Sequence, residues 1–594
     1  MKDLGKPTIT GPSSVSTQRA DDMNFNIDLN HNTWLLGLTV GVPFFAGAIF
    51  GLVITDPITG ILGFGRRGAI CVAGIFSFIS VIGSASVNKW EHLLGFRILL
   101  GAGMAGKASI VPILLSETSP KNIRGFLLVF WQLFVAFGLA AGSVANLSVY
   151  RLDVHSSWRY MFITASIPAL LLLSLILFSP GKCNTSSCGI ASEKLIPAES
   201  PRWLLKESGS KDEGHSLDSS RRRTFVQDAF KSLIDLRGEP SPILAAGELY
   251  LMHTRLIDEQ HRLQKALSHA HPPGNTLKRV STSGDPLREV VDHIGWWPRV
   301  RLMFFRSGFT RRAHMAAAAV MISQQLCGIN LIAFLADTFF RYSFFHHNHD
   351  ASPGQNVQLL GASLGLMLLN FLATIPALFI IDGSNGRRRA LNWSFPCMAI
   401  SLLASALVSK SPENQVGQPN TGAIVGHYMF LATFMIAYSI GEGPAAFVIS
   451  AEVFPLVNRE LGMSLAVFWN FMGAGLLAVA APWLLKQLDQ FGVLLLFAGT
   501  NMLAWFLCFW LVPSTGNEDL EDVFAKLEVP LGFMFAYLVR IVLWRVTKLV
   551  EFCGRFGNKK WQDCGYGPEP EDPMEEFEKG QERARRNQSD ANNA

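Results

Sequence analysis

The first candidates for chemistry in this sequence are amide side chains that lie inside long apolar stretches. They are Gln132, Gln324, Gln325, Asn330, Asn370 and Asn470. An amide donates and accepts hydrogen bonds, so a group of amides can bind a neutral ligand that carries several hydroxyl groups. A charged side chain suits such a ligand less well, because its desolvation costs more than the ligand returns. Amides also hydrogen-bond neighbouring helices to each other, and for one isolated amide both interpretations stay open.

Three of these amides lie close together around a glycine. Gln324 and Gln325 precede Gly328, and Asn330 follows it. Glycine tolerates a break in a helix, and a break here lets amides from both sides face one cavity. This spacing favours a binding role for the three amides over simple helix association.

Ionisable residues within apolar stretches form a second group of candidates. Arg97 lies near the predicted outer end of its stretch, and Glu442 lies between two glycines. An ionisable residue inside a membrane is a functional candidate by default, although Arg97 can also extend to the interface and Glu442 can be a purely structural acceptor. No nucleophile–base pair or metal-ligand set accompanies them, and Cys183 and Cys188 lack the second pair of a zinc site. The sequence therefore predicts neither an enzyme nor a bound metal or cofactor.

The elements that position these residues are long apolar segments. Of the 594 residues 49% are hydrophobic and 16% are charged, and the charges are concentrated in the connectors and at both ends. A stretch of about 20 apolar residues crosses the ~30 Å hydrocarbon core as a helix, which satisfies its own backbone hydrogen bonds. We predict an all-α membrane protein with eleven spans, at 34–54, 69–87, 92–115, 126–147, 160–178, 315–335, 357–381, 390–408, 424–449, 463–485 and 491–512.

Basic residues in alternate connectors predict how the spans are oriented. They follow spans one, three, seven and nine, which places these connectors, the long central loop and the C-terminus in the cytosol. The modest positive charge therefore indicates membrane orientation rather than nucleic-acid binding. The predicted divisions are a polar tail without a signal peptide at 1–33, a five-span bundle at 34–178, a cytosolic loop at 179–312, a six-span bundle at 313–512 and a cytosolic tail at 513–594.

The cytosolic tail contains one further apolar stretch, 530–550, which Arg540, Arg545 and Lys548 interrupt. As a span it would place a basic tail outside the cell. We therefore predict an amphipathic helix on the inner leaflet, with its basic residues toward anionic headgroups. A buried regulatory segment is the alternative.

Two polar motifs recur with an offset of six spans. An acid precedes Gly-Arg-Arg after spans one and seven, and Glu-x-x-Pro-x-x-x-Arg follows spans three and nine. A duplicated six-helix unit explains both, and transporters built in this way bind their substrates between the halves. The Gly-Arg-Arg turn follows the second helix of the second half but the first helix of the first half. We therefore expect the opening helix of the first unit to be missing.

The acids and arginines of these motifs can pair at the cytosolic mouth and close it. The predicted gate residues are Asp56, Arg66, Arg67, Glu117, Arg124, Asp382, Arg387, Arg388, Glu452 and Arg459. Topology alone explains the arginines but not the acids.

These motifs resemble those of the sugar porter family of the major facilitator superfamily, most closely its fungal branch, over about 32–524. The similar segments are Asp56-Pro57 with Gly65-Arg66-Arg67, Arg97-x-x-x-Gly101-x-Gly103 with Lys107, Pro112 to Gly125, Gln132, Gln324 to Asn330, Gly441-Glu442-Gly443-Pro444 and Ser450 to Pro455. The resemblance implies the major facilitator fold with two helical bundles, and transport of a sugar or polyol of the hexose or myo-inositol class by alternating access. It places the six amides, with Gly443 and Phe447, around the sugar. In proton-coupled relatives the arginine matching Arg97 pairs with an acid of the first helix, so Arg97 and Glu442 are the coupling candidates here.

The sequence also departs from the family pattern. The first helix has no counterpart, and residues 181–198 interrupt the Pro-Glu-Ser-Pro-Arg-Trp motif in a way that resembles retained intron boundaries. Phe334, Phe447 and Phe471 stand where relatives carry tyrosine or tryptophan, which leaves the sugar undefined. The alternatives are an organic-acid or secondary-metabolite transporter on the same fold, a non-transporting sugar sensor and an inactive gene product. We expect a plasma-membrane location, and the oligomeric state stays open.

Overall fold

The chain is helical throughout the part that the structure, a computed structural model, describes. The described residues are 33–60, 65–150, 157–178, 199–208, 219–237, 241–268, 296–306, 308–334, 353–383, 386–409, 421–456, 458–516 and 531–555, with 523, 527 and 529. No strand occurs among them. The predicted N-terminal tail and the insert at 181–198 lie outside these residues.

Among the described residues, the first bundle and the segment that follows it contain ten α-helices. They are α1 (Thr33–Gly60), α2 (Gly65–Ser86), α3 (Trp90–Thr118), α4 (Arg124–Tyr150), α5 (Ser157–Thr164), α6 (Ser166–Phe178), α7 (Pro201–Ser208), α8 (Ser219–Arg237), α9 (Pro242–Ser268) and α10 (Trp296–Arg301).

The second bundle and the C-terminal tail contain the remaining described helices. They are α11 (Gly308–Leu326), α12 (Ile329–Phe334), α13 (Pro353–Thr374), α14 (Ala377–Ile380), α15 (Gly386–Ser409), α16 (Thr421–Ile440), α17 (Glu442–Glu452), α18 (Arg459–Leu511) and α19 (Leu531–Arg555).

The predicted spans coincide with these helices. Nine helical segments of the described chain are long and apolar enough to cross a membrane. The 53-residue helix α18 holds two predicted spans, which are separated at Asp489 by a left-handed backbone (φ 53°). The first predicted span lies in α1, whose residues 37–52 form a shorter apolar helix. Breaks at Gly328 (φ 86°) and Gly441 divide the sixth and ninth spans.

Small residues allow the helices around α1 to pack closely. A Cβ atom added to Gly101 of α3 would lie 2.2 Å from the carbonyl oxygen of Pro43, and one added to Gly47 would lie 2.7 Å from the Phe471 ring. A Cβ on Gly37 would lie 2.9 Å from the backbone of Val479. Helix α1 therefore contacts both its own bundle and α18 of the other one, as small residues permit in membranes.

Helices α7, α8 and α9 form a separate small core on the predicted cytosolic side. Trp203, Leu233 and Leu249 are buried there together. Helix α19 contacts the end of α18 through the stacked rings of Trp510 and Phe535, 4.2 Å apart. Its location on the inner leaflet remains a prediction.

Candidate functional site

An amide cluster lies where α16 ends and α17 begins. The amide nitrogen of Gln324 on α11 donates to the hydroxyl of Tyr438 (3.1 Å) and to the carbonyl of Gly443 (3.5 Å). The amide oxygen of Gln324 accepts a hydrogen bond from Nδ2 of Asn470 on α18 at 2.5 Å. Gln324, Tyr438 and Asn470 are buried. Four helices of the second bundle therefore converge on one polar site.

The first bundle contributes Gln132 of α4 to this cluster. A Cβ atom on Gly443 would lie 3.1 Å from its amide nitrogen, and its side chain hydrogen-bonds the hydroxyl of Tyr438. The neighbouring Trp131 packs against Phe447, with ring centroids 5.5 Å apart. The cluster therefore spans the contact between the two bundles.

A second amide pair forms across the helix break at Gly328. Nδ2 of Asn330 donates to Oε1 of Gln325 at 2.5 Å. A Cβ atom on Gly473 would lie 2.6 Å from Cγ of Gln325, so glycine leaves room for that side chain. The predicted break at Gly328 is confirmed, and it brings together amides from both of its sides.

The remaining predicted binding residues lie around these amides. Ser439, the residue after Tyr438, donates a hydrogen bond to Oδ1 of the buried Asn370 at 2.8 Å. Phe471 packs edge-on against Phe44, with centroids 5.8 Å apart. The side chain of Phe334 is outside the described part of the chain. Asn370 therefore reaches the cluster only through α16.

This arrangement suits a neutral ligand with hydroxyl groups. The amides and the hydroxyl of Tyr438 bond one another, and a ligand hydroxyl can replace any of these bonds because it both donates and accepts. Tyr438 was missed in the sequence analysis. The available signal was a tyrosine, one of eight in the chain, in an apolar stretch three residues before Gly441.

The two coupling candidates have different surroundings. The guanidinium of Arg97 lies 5.0 Å from the centroid of the Phe162 ring, a cation–π contact. No carboxylate pairs with it among the described residues. Glu442 is fully buried, and neither of its oxygens has a hydrogen-bond partner in the part of the chain that is described. The structure therefore does not bring these two residues together.

The first part of the predicted gate is a buried ion network that joins the bundles. Arg66 of α2 pairs with Glu117 of α3 at 3.0 Å and with Glu460 of α18 at 2.5 Å. Nη1 of Arg459 lies 3.7 Å from Glu117. Two of these contacts connect the first bundle to the second, on the predicted cytosolic side. Glu460 was not among the predicted residues.

The two residues before α7, together with α7 itself, connect this network to the helices α7 to α9. Ser200 Oγ donates to Glu117 at 2.6 Å, and Lys206 pairs with Glu460 at 3.1 Å. The carboxylate of Glu199 accepts the backbone N–H groups of Arg66 (2.9 Å) and Arg67 (3.3 Å) at the start of α2. Burial raises the pKa of Glu199, and these backbone donors partly oppose that rise.

The second part of the predicted gate lies in the second bundle. Asp382 accepts hydrogen bonds from the backbone N–H groups of Gly125 (2.9 Å) and Phe126 (2.7 Å) at the start of α4. Arg387 pairs with Asp382 at 3.3 Å and with Glu452 at 2.8 Å. Asp382 therefore joins the bundles as an anion at a helix N-terminus.

The other predicted gate residues are less central. Arg388 donates to the carbonyl of Phe509 at 2.9 Å and lies over its ring. The buried Arg124 is close enough to Glu452 to interact with it electrostatically. Asp56 lies in α1, but its side chain is outside the described part of the structure.

The fold is that of a major facilitator. The structure of the proton:xylose symporter XylE bound to 6-bromo-6-deoxy-D-glucose matches with a TM-score of 0.61 and 20% sequence identity, over 87% of this chain and 94% of that one. At this identity the likeness shows the fold alone. The predicted fold class is confirmed.

The family is shown by the sequence. The family model described as "Sugar (and other) transporter" matches residues 10–182 and 289–526, which is more than half of the chain. The chain therefore belongs to this family, and the resemblance to the sugar porters is confirmed. It is a multi-pass membrane protein.

Several characterised and named relatives are similar over most of their length. Polyol transporter 5 of Arabidopsis thaliana is 26% identical over 77% of this chain and 73% of its own. The D-xylose transporter of Levilactobacillus brevis is 28% identical, over 85% and 90%. Hexose transporter HXT10 of Saccharomyces cerevisiae is 26% identical, over 82% and 75%.

Proposed function

We propose that this protein transports a neutral sugar or polyol across a membrane by alternating access, with the amide cluster as its binding site. The observation that carries the proposal is that Gln132 of one bundle and Gln324 and Asn470 of the other meet at a single uncharged polar site. The names of the relatives, which include polyol, xylose and hexose transporters, support this substrate class. They also support a transport role over an enzymatic one.

The geometry supports a cycle in which the two mouths open in turn. The pairs of Arg66 with Glu460 and of Arg459 with Glu117, and Asp382 at the start of α4, join the bundles on the predicted cytosolic side, which supports a closed cytosolic mouth. Release of substrate inward requires these contacts to separate. The amide cluster then becomes accessible to cytosolic water, and the substrate leaves.

An uncharged site also separates this proposal from transport of an organic acid. A carboxylate substrate needs a cation at its site, and Arg97 instead covers the ring of Phe162. A plasma-membrane location belongs to the same proposal, since uptake of external sugar requires it.

The test is uptake of radiolabelled D-glucose, D-xylose and myo-inositol by a transport-deficient host that expresses the full chain. We expect saturable uptake of at least one of them. Gln324→Ala removes three hydrogen bonds of the cluster and should lower uptake efficiency about tenfold or more. The matched control is Gln490→Ala, because Gln490 is also a buried glutamine but bonds His427 at 2.9 Å instead. Absence of uptake for the whole panel, with the protein at the plasma membrane, would contradict the proposal.

A further inference from the structure

One buried carboxyl group next to the amide cluster has no role in sugar binding. Glu442 is the first residue of α17 and is fully buried, and no described residue hydrogen-bonds either of its oxygens. An ionised carboxylate that loses its hydration without gaining a donor is strongly disfavoured. The N-terminus of α17 stabilises a negative charge, but by less than this loss. Glu442 therefore holds a proton in the state that the structure shows.

The other groups of the second bundle that face Glu442 supply no counter-charge. Cys327 at the end of α11, Tyr438 of α16 and Cys508 of α18 are close enough to interact with it electrostatically, and their thiols and phenol carry no positive charge. Helix α15 presents Ser394 against the neighbouring Gly441.

The first-bundle helices that pack against α17 are α3 and α4, and their charged groups are engaged elsewhere. Nζ of Lys107 donates to Ser77 at 2.8 Å, and Arg97 covers Phe162. Glu117 pairs with Arg66 at the cytosolic end. Helix α4 presents the uncharged Gln132 to α17, and its Arg124 lies near Glu452.

The internal repeat marks this position in both halves. Lys107 precedes Glu117 of the first half by ten residues, and Glu442 precedes Glu452 of the second half by ten. The two halves therefore carry ionisable groups of opposite charge at equivalent points of equivalent helices. Lys107 has an acceptor in its own bundle, whereas Glu442 has no donor among the described residues. Of the two, the acid is the group that no described side chain stabilises by a hydrogen bond.

Glu442 is also mechanically linked to the amide cluster. It directly precedes Gly443, whose carbonyl accepts the hydrogen bond of Gln324 and whose Cα lies against Gln132. The helix breaks at the residue before it, Gly441 (φ −105°, ψ −87°). A movement of this break that lets water reach Glu442 would also move the carbonyl that Gln324 contacts.

We propose that Glu442 is the site of a proton that moves together with the sugar, an inference that rests on the proposed function. The carboxylate takes one proton from water on the outer side, which permits the dry, closed arrangement with substrate bound. After the cytosolic mouth opens, the carboxyl group gives that proton to cytosolic water, and the ionised residue returns in a substrate-free site that water hydrates. One proton crosses per cycle.

Protonation can be tested without any substrate. Infrared difference spectra of the purified full-length protein in lipid, recorded between two pH values, report the carbonyl stretch of protonated carboxylic acids. We expect a band from a buried protonated acid that Glu442→Gln removes. The matched control is Glu91→Gln, the same change at an exposed carboxyl at the outer end of α3, which should keep the band. A protonated-acid spectrum that Glu442→Gln leaves unchanged would overturn the inference.

Coupling is tested in proteoliposomes with the radiolabelled sugar that the wild-type protein takes up. One proton per sugar allows an inward gradient of about one pH unit to drive up to about tenfold accumulation. We expect wild type and Glu91→Gln to accumulate sugar, and Glu442→Gln to exchange labelled for unlabelled sugar without accumulating it. Gradient-driven accumulation by Glu442→Gln would overturn the coupling role.

The two tests separate the failure of the inference from failure of the proposed function. If no sugar of the panel is carried by wild type, the proposed function fails while the infrared result still decides whether Glu442 binds a proton. If Glu442→Gln does not yield folded protein, the same band is followed in wild type as pH rises. Absence of this band at every pH would count against Glu442 as the proton site. Loss of sugar accumulation in both Glu442→Gln and Glu91→Gln would count against its coupling role.

Discussion

Two polar regions join the bundles of this transporter, and they use opposite chemistry. At the amide cluster the contact between Gln132, Tyr438 and Gln324 contains no charge. On the predicted cytosolic side Arg66 pairs with two carboxylates, one from each bundle. Removing a charge from water costs several kcal/mol, which only multiple close counter-charges offset. The comparison teaches that a site that must release a neutral ligand avoids charge, whereas a gate that must hold and then separate can use it.

The largest expected effect comes from removing one charge of the gate. Glu117→Gln leaves Arg66 with the carboxylate of Glu460 and removes the carboxylate that lies 3.7 Å from Arg459. We expect a loss of about 3 kcal/mol from the closed cytosolic state, at the low end for breaking a buried pair. The inward-facing population should rise more than a hundredfold.

The measurement is thiol labelling of Ser464→Cys, a fully buried position one turn into α18 from Glu460. Labelling from the cytosolic side should become faster in the Glu117→Gln background. Asp258→Asn is the matched control, because its pair with Arg262 (3.0 Å) lies exposed on α9, where such pairs contribute about 0.3–0.5 kcal/mol. Equal labelling rates in both backgrounds would show that Glu117 does not hold the mouth closed.

A smaller effect is expected from removing one hydroxyl of the uncharged site. Tyr438→Phe deprives Gln324 and Gln132 of a shared partner while it keeps the ring. We expect about tenfold weaker sugar binding, since one neutral hydrogen bond contributes about 1 kcal/mol and its orphaned partners add to the loss. Tyr428→Phe on the same helix is the control, with its hydroxyl directed at the carbonyl of Ala362. Equilibrium binding of labelled sugar to purified protein measures both, and equal affinities would remove Tyr438 from the site.

The sequence predicted the members of these regions better than their partners. The repeat located Arg66, Glu117 and Asp382, because a duplicated motif is visible as a pattern. Glu460 and Lys206 were missed. Neither the single acid that follows Arg459 nor one lysine in the predicted loop 179–312 belongs to a recurring motif. Their pairing depends on how α18 and α7 meet in space, more than two hundred residues apart in the chain.

The two bundles also differ in the neighbours of their last helices, which the sequence did not predict. In the second half the last helix is held by α11, because Thr500 donates to the carbonyl of Leu326 (2.7 Å) and Asn501 to that of Cys327 (3.1 Å). No helix of the described chain occupies the equivalent place beside α6, and Leu171 and Phe178 are 58% and 79% exposed. The spans themselves were predictable from hydropathy, but which faces they bury depends on neighbours that hydropathy does not encode.

The smallest expected effect concerns a two-residue strap, Glu199 and Ser200, which connects the gate to α7. Glu199 accepts the backbone N–H groups at the start of α2, and burial raises its pKa. A raised pKa in the docked state means that docking binds a proton. Docking of α7 is therefore most stable below the ordinary pKa of a glutamate and weakens as pH rises through the raised value. Because Glu199 is only half-buried, solvent screening limits the change to about 1 kcal/mol or less.

Hydrogen exchange of the α7 amides, corrected for intrinsic rates, measures this change. Protection should fall as pH rises in wild type and should lose this slope in Glu199→Gln, which cannot titrate. Asp235→Asn on the neighbouring α8 removes an exposed carboxyl and should leave the slope intact. A slope that persists in Glu199→Gln would place the titrating group elsewhere. The pH dependence of α7 docking would then arise from the ion network of Glu117 and Glu460, which Ser200 and Lys206 contact. In that case ion pairing, rather than capping of α2 by Glu199, would determine how stably α7 docks.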